Sequence, residues 1–69
     1  MKFNYSKLLG RMREYGFTQE RLAKSLGIND GTLSAKLNSK TSFTAVEIDK
    51  ICELLEIPNE EIGVYFFSR

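Results

Sequence analysis

The sequence predicts an all-α fold, a compact bundle of four to five short helices that form one domain over residues 1–69. Its apolar residues recur at spacings of three and four, which is the periodicity of a helix with one buried face. Capping residues and glycines separate these segments, and no segment alternates apolar and polar residues as a strand does. A chain of 69 residues has room for a single core and one functional surface.

The first two predicted helices span about residues 5–15 and 19–26. Each is followed by a glycine, Gly16 and Gly27, which suits the left-handed backbone at the end of many helices. Thr18 precedes the second helix and is predicted to cap it, because its hydroxyl can accept a hydrogen bond from a free backbone amide. Both helices therefore have ends that local residues define.

The third predicted helix spans about residues 30–38 and follows the capping residue Asn29. The fourth begins after Thr44, and Glu47 completes a capping box, in which each side chain bonds to the other residue's backbone amide. Pro58 follows the end of this helix, since proline cannot continue a helical hydrogen-bond ladder. A short fifth helix or turn is predicted after it.

The most informative stretch is residues 18–38, where two short helices are joined by a tight turn that contains glycine. This is the geometry of a helix-turn-helix unit, whose second helix lies in the major groove of DNA. If Leu33 and Leu37 face the core, the opposite face of the third helix carries only small or hydrogen-bonding side chains. These are Gly31, Thr32, Ser34, Ala35 and Asn38. Such a face can lie close to base edges in a groove about 12 Å wide.

Candidate phosphate contacts flank this face. Thr18 and Gln19 lie at the start of the second helix, where free backbone amides and the positive end of the helix dipole favour an anion. Lys36 and Lys40 lie toward the far end of the third helix. We expect these residues to position the protein on the DNA backbone, while the third helix specifies the site.

The charges of the chain are segregated. Residues 1–40 carry eight basic and three acidic side chains, whereas residues 41–69 carry two basic and six acidic ones. A basic half beside an acidic half indicates that one face meets a polyanion. The expected partner is therefore a double-stranded DNA operator.

The stretch at residues 16–34 resembles the helix-turn-helix of the phage repressor and Cro family, also called the XRE type. Its sequence is Gly-Phe-Thr-Gln-Glu-Arg-Leu-Ala-Lys-Ser-Leu-Gly-Ile-Asn-Asp-Gly-Thr-Leu-Ser. The resemblance implies a lambda-repressor-like DNA-binding domain that regulates transcription, with the third helix as the recognition helix. It also implies that Gln19 contacts a phosphate and that Asp30 is among the base-contacting residues. The end of the chain, residues 62–67, resembles that of small phage-encoded regulators of Gram-positive hosts.

The complete candidate DNA-binding surface has eleven residues. They are Thr18, Gln19, Asn29, Asp30, Gly31, Thr32, Ser34, Ala35, Lys36, Asn38 and Lys40. A single helix-turn-helix unit covers one half-site, so we expect a homodimer. The apolar tail at residues 64–67 either completes the core or forms a patch that pairs with a second copy.

The composition argues against an enzyme. There is no histidine to act as an imidazole base or zinc ligand, and the one cysteine, Cys52, lies on the predicted buried face of the fourth helix. We therefore expect no cofactor, metal or small-molecule substrate. No apolar stretch is long enough to span a membrane, and the N-terminus lacks signal-peptide features, so a cytoplasmic location in a bacterial cell is expected.

The alternative function is a protein-binding helical module, such as an antirepressor or an antitoxin. The aromatic tail at residues 64–67 would then be the contact surface. The basic half of the chain favours DNA over this alternative, because a dedicated protein-binding module has no need for it.

Overall fold

The computed structural model describes residues 3–69, and these residues form α-helices and one 3-10 turn without any strand. The helices are α1 (Ser6–Glu14), α2 (Gln19–Leu26), α3 (Asp30–Leu37), α4 (Ala45–Leu55) and α5 (Ile62–Phe66), with the 3-10 turn at Asn59–Glu61. Five short helices confirm the predicted all-α bundle, and a Cα radius of gyration of 10.8 Å is that of a compact globule of this length. No helix within residues 3–69 is both long enough and apolar enough to cross a membrane.

The predicted starts of α2, α3 and α4 are confirmed by their caps. The side-chain oxygens of Thr18 and Asn29 each accept a hydrogen bond from the backbone amide three residues on, at 3.1 and 2.7 Å. At the start of α4, the Thr44 amide donates to the Glu47 carboxylate at 2.8 Å, and the Glu47 amide donates to the Thr44 hydroxyl at 3.2 Å. Each cap satisfies an amide that has no partner inside its helix, which fixes where the helix begins.

The helices α1, α2 and α4 end at a residue with left-handed backbone, which is glycine in two cases and glutamate in the third. Gly16 and Gly27 adopt the predicted left-handed backbone, with φ of +72° and +73°. At the end of α4 this conformation falls instead on Glu56, with φ of +52°. The guanidinium of Arg11 in α1 donates through Nε to the Leu55 carbonyl at 2.9 Å and through Nη2 to the Glu56 carbonyl at 2.7 Å. Arg11 therefore satisfies the terminal carbonyls of α4 and ties the first helix to the fourth.

Every helix contributes to one apolar core. Its buried residues are Tyr5, Leu8, Met12, Leu22, Ala23, Leu33, Ile51, Cys52, Leu55, Ile57 and Phe66. On α1 the buried residues are Leu8 and Met12, whereas Tyr15 lies beyond the helix end and is 37% exposed. The cysteine of α4 is buried, as its position in the apolar stripe predicted.

The apolar tail divides between the core and the surface. Phe66 is 1% exposed and packs edge-on against Phe43, with 5.5 Å between ring centroids. Phe67 is 52% exposed and lies edge-on against Phe3. The backbone amide of Asn4 donates to the carbonyl of Ser68 at 2.7 Å, so the two ends of the described chain are tied together. The tail thus completes the core with one aromatic ring and exposes the next.

Candidate nucleic-acid interface

The helices α2 and α3 pack against each other and are joined by a short turn. The Ile28 amide in this turn donates to the Ala23 carbonyl at 3.0 Å. The amide group of the Gln19 side chain reaches the Asp30 carbonyl at 3.5 Å, from the first turn of one helix to the first turn of the next. The N-terminal ends of both helices therefore lie side by side, which is the arrangement expected for a helix-turn-helix unit.

The inner face of α3 differs from the predicted one. Leu33 is fully buried, as predicted, but the second buried residue is Lys36, and Leu37 is only partly buried. At 100° per residue, a core stripe through Leu33 and Lys36 is rotated by about 50° from a stripe through Leu33 and Leu37. The sequence suggested the leucine pair because lysine is rarely a core residue.

The outer face of α3 keeps its predicted character. Asp30, Gly31, Thr32 and Asn38 are exposed, and Ser34 and Ala35 are half-buried. The Asn38 amide group donates back to the Ser34 carbonyl at 2.8 Å, so this side chain lies along the helix. An added Cβ at Gly31 would meet only the Asn29 side-chain oxygen, at 3.5 Å. No side chain on this face is longer than that of Asn or Asp, and the helix backbone is correspondingly accessible.

Lys36 does not belong to this surface, and its predicted role as a phosphate contact is wrong. Its ammonium lies 3.0 Å from the Glu47 carboxylate and donates to the Ser42 carbonyl at 2.9 Å. The residue is 8% exposed, so its charge is used inside the protein between α3 and α4. Burial alone would raise the pKa of the Glu47 carboxyl, but the bonds from the Thr44 amide and the Lys36 ammonium outweigh it and lower that pKa.

The other predicted contact residues lie at the surface. Thr18, Gln19 and Asn29 are exposed at the two helix starts, and Lys40 is exposed in the loop after α3. The oxygens of Thr18 and Asn29 already accept cap bonds, but the hydroxyl proton of Thr18 stays available to a phosphate oxygen. Asp30 is also exposed, and its carboxylate lies at the positive end of α3.

A second surface feature was not predicted from the sequence. A cavity of about 300 Å³ lies beside the loop between α3 and α4. We call it the aromatic groove, and the rings that line it are Phe3, Tyr5, Phe43, Phe66 and Phe67. The Phe3 amide donates to the Ser39 hydroxyl at 2.9 Å, which fixes the N-terminal segment against that loop. The aromatic residues near the two chain ends, Phe3 and Tyr5 at one and Phe66 and Phe67 at the other, were the available signal, but nothing local indicated that these ends would meet.

Residues 3–69 contain no group of three or more His, Cys, Asp or Glu side chains that could hold a metal ion. Burial and the nearby Asp49 raise the pKa of the Cys52 thiol. This cysteine is buried and packs in the apolar core.

Comparison with known proteins places the chain in a family. The solution structure of the modulator of repression (MOR) of the temperate bacteriophage TP901-1 from Lactococcus lactis is similar, with a TM-score of 0.80 and 39% sequence identity. The match covers 97% of this chain and 90% of that one. No curated protein sequence matches at a significant level. A family model described as "Protein of unknown function (DUF739)" matches residues 1–69, and the chain therefore belongs to the DUF739 family.

Proposed function

We propose that this protein is a phage-type transcriptional regulator that binds operator DNA through the outer face of α3. It acts by binding rather than by catalysis. The similarity to a phage modulator of repression, at 39% identity over nearly the whole chain, supports the regulatory role. The resemblance of residues 16–34 to the repressor and Cro family supports the mode of binding.

The main observation behind the proposal is that the outer face of α3 has no long side chains. Solvent-exposed helix faces usually carry long charged side chains, which would hold a helix away from the floor of a groove. Here Thr32, Ser34 and Asn38 can exchange hydrogen bonds with base edges, and Ala35 can contact a thymine methyl. The start of α2, with Thr18, offers backbone amides to a phosphate on the groove rim.

The assembly that we propose is a homodimer. A single unit reads only one half-site, and two units that bind successive major grooves lie one helical turn apart. Val64 and Phe67 are 41% and 52% exposed, and they are the apolar side chains of the tail that a second copy could cover.

Selection of bound duplexes from a random pool tests the proposal. The expected product is an inverted repeat with half-site centres about 10 base pairs apart. Ala35→Glu is the test variant, since it places a carboxylate against the DNA. Val46→Glu, which adds the same charge at a 76% exposed position of α4, is the matched control. Enrichment that is lost in the first variant and kept in the second supports the proposal. A pool without enrichment, or with equal enrichment by all three proteins, contradicts it.

A protein-binding module that acts on a repressor is the second candidate, and the aromatic groove favours it. Phe67 is 52% exposed beside this cavity, and aromatic side chains are enriched at protein interfaces. The neutralised charge of Lys36 also removes one of the cations expected for DNA. A reporter assay separates the two candidates. Under the DNA proposal the protein changes reporter expression on its own. Under the second candidate it acts only when a repressor is present, and Phe67→Ser abolishes the effect.

A further inference from the structure

The ion pair between Lys36 and Glu47 lies behind the candidate DNA-binding surface. It joins the inner side of α3 to the first turn of α4, with side chains that are 10% and 15% exposed. The Glu47 carboxylate oxygen that pairs with the Lys36 ammonium also accepts a hydrogen bond from the Thr44 backbone amide at 2.8 Å. The ammonium in turn donates to the Ser42 carbonyl in the connecting loop. One small polar cluster therefore holds α3, the loop and the cap of α4 together.

The helix α3 places few apolar side chains in the core. Leu33 is its one fully buried apolar residue, and Ala35 and Leu37 are half-buried. A single buried leucine at the centre of an eight-residue helix can be kept in place over a range of rotations about the helix axis. Charged hydrogen bonds are directional, and a buried ion pair often specifies an arrangement while adding little to stability.

We infer that the Lys36–Glu47 pair is the positioning element that fixes the rotation of α3 and thereby selects the side chains that face outward. This inference rests on the proposed function, because it assigns the pair a role in sequence selectivity. Neither residue needs to touch DNA for this role.

The two rotations present different surfaces. With Leu33 and Lys36 inward, the outer face centres between Gly31 and Asn38, at 100° per residue. With Leu33 and Leu37 inward, it would turn by about 50° and centre on Ala35. Lys36 would then move toward solvent and Asn38 away from the centre of the face. The pair excludes this second arrangement, because its ammonium would leave both the carboxylate and the Ser42 carbonyl.

The variant that tests the inference is Lys36→Met, which fills the buried space without a charge. Lys50→Met is the matched control, since Lys50 is exposed on α4 and outside the cluster. Three quantities are measured for both variants and the wild type. They are the melting temperature, the N–H residual dipolar couplings of α3 relative to α1 and α4, and the ratio of affinities for the selected duplex and for random DNA.

The expected result for Lys36→Met is a melting temperature close to that of the wild type, changed couplings in α3, and an affinity ratio at least tenfold lower. Unchanged couplings overturn the inference, whatever happens to the affinity ratio. Changed couplings with an unchanged ratio also overturn it, because rotation would then not control selectivity. If the wild type itself has no selectivity for any duplex, the proposed function fails, and the couplings alone decide whether the pair positions the helix.

Discussion

Removing the charge of Glu47 should destabilise the fold far more than removing the charge of its partner. Glu47→Gln keeps a side-chain oxygen that can accept the Thr44 amide, so the cap of α4 survives. Lys36 is then left as a buried ammonium with the Ser42 carbonyl as its remaining partner. Lys36→Met instead removes the buried ammonium, and the Glu47 carboxylate that remains still accepts the Thr44 amide.

The magnitude follows from the burial of the pair. Breaking a fully buried ion pair from one side costs about 3–5 kcal/mol. The Lys36 side chain is 10% exposed and keeps one hydrogen bond, so we place the cost of Glu47→Gln at the lower end, about 2–3 kcal/mol. In a domain of this length that corresponds to a fall in melting temperature of about 10–20 °C. Lys36→Met leaves the Glu47 carboxylate without its ion-pair partner, but this group keeps the Thr44 amide bond at the positive end of α4. The variant should therefore stay within about 1 kcal/mol of the wild type.

Urea denaturation followed by circular dichroism at neutral pH measures both costs and that of the double variant. Because the double variant has no buried ammonium, it should be more stable than Glu47→Gln by about 2 kcal/mol. The reasoning would be refuted if both single variants lost the same free energy of unfolding and the double variant lost the sum of the two. Lys50→Met, which lies on the exposed side of α4, controls for loss of a positive charge in general.

Three further predictions concern stability, salt and pH. Gly10→Ala should stabilise the fold by about 0.5–1 kcal/mol, because an added Cβ meets no atom within 4 Å. Gly27→Ala should destabilise the fold by about 1 kcal/mol, because this residue has a φ of +73°, which alanine adopts only with strain. If thermal melts gave Gly10→Ala and Gly27→Ala the same change in stability, this explanation of the turn would be wrong. Lys40→Ala should lower the salt slope of DNA binding by about 0.9, whereas Lys36→Met should leave the slope unchanged; a reversed order would restore Lys36 as a phosphate contact. The pKa of Glu47 is lower in the folded state than its ordinary 4.5, so its contribution to stability is present above that pH and is lost as the pH falls through the folded pKa. Glu47→Gln should remove this part of the acid dependence, and an unchanged pH profile of stability would contradict it.

The features that the sequence predicted correctly are those that neighbouring residues decide. The caps at Thr18, Asn29 and Thr44 each depend on a bond to a residue three positions away. The stops at Gly16 and Gly27 depend on a backbone conformation that glycine adopts easily. These residues set the order and limits of the helices, and with them the short turn between α2 and α3.

The features that the sequence did not predict depend on distant partners. Lys36 lies on the stripe three positions after Leu33, but only the approach of Glu47 allows a lysine to be buried there. Arg11 meets Leu55, which is 44 residues away in the chain. The aromatic groove likewise joins side chains from both chain ends. Helical periodicity contains no information on such contacts, because it describes one helix at a time.

The most direct test of the central claim is a ¹⁵N–¹H NMR titration of the protein with the duplex recovered by selection. We expect the amide signals of Gly31, Thr32 and Ala35 to shift most, with smaller shifts at the start of α2 near Thr18. Shifts confined to the aromatic groove, with the α3 signals unmoved, would contradict it. The same titration with a duplex of scrambled sequence should give only weak shifts that disappear as salt is raised.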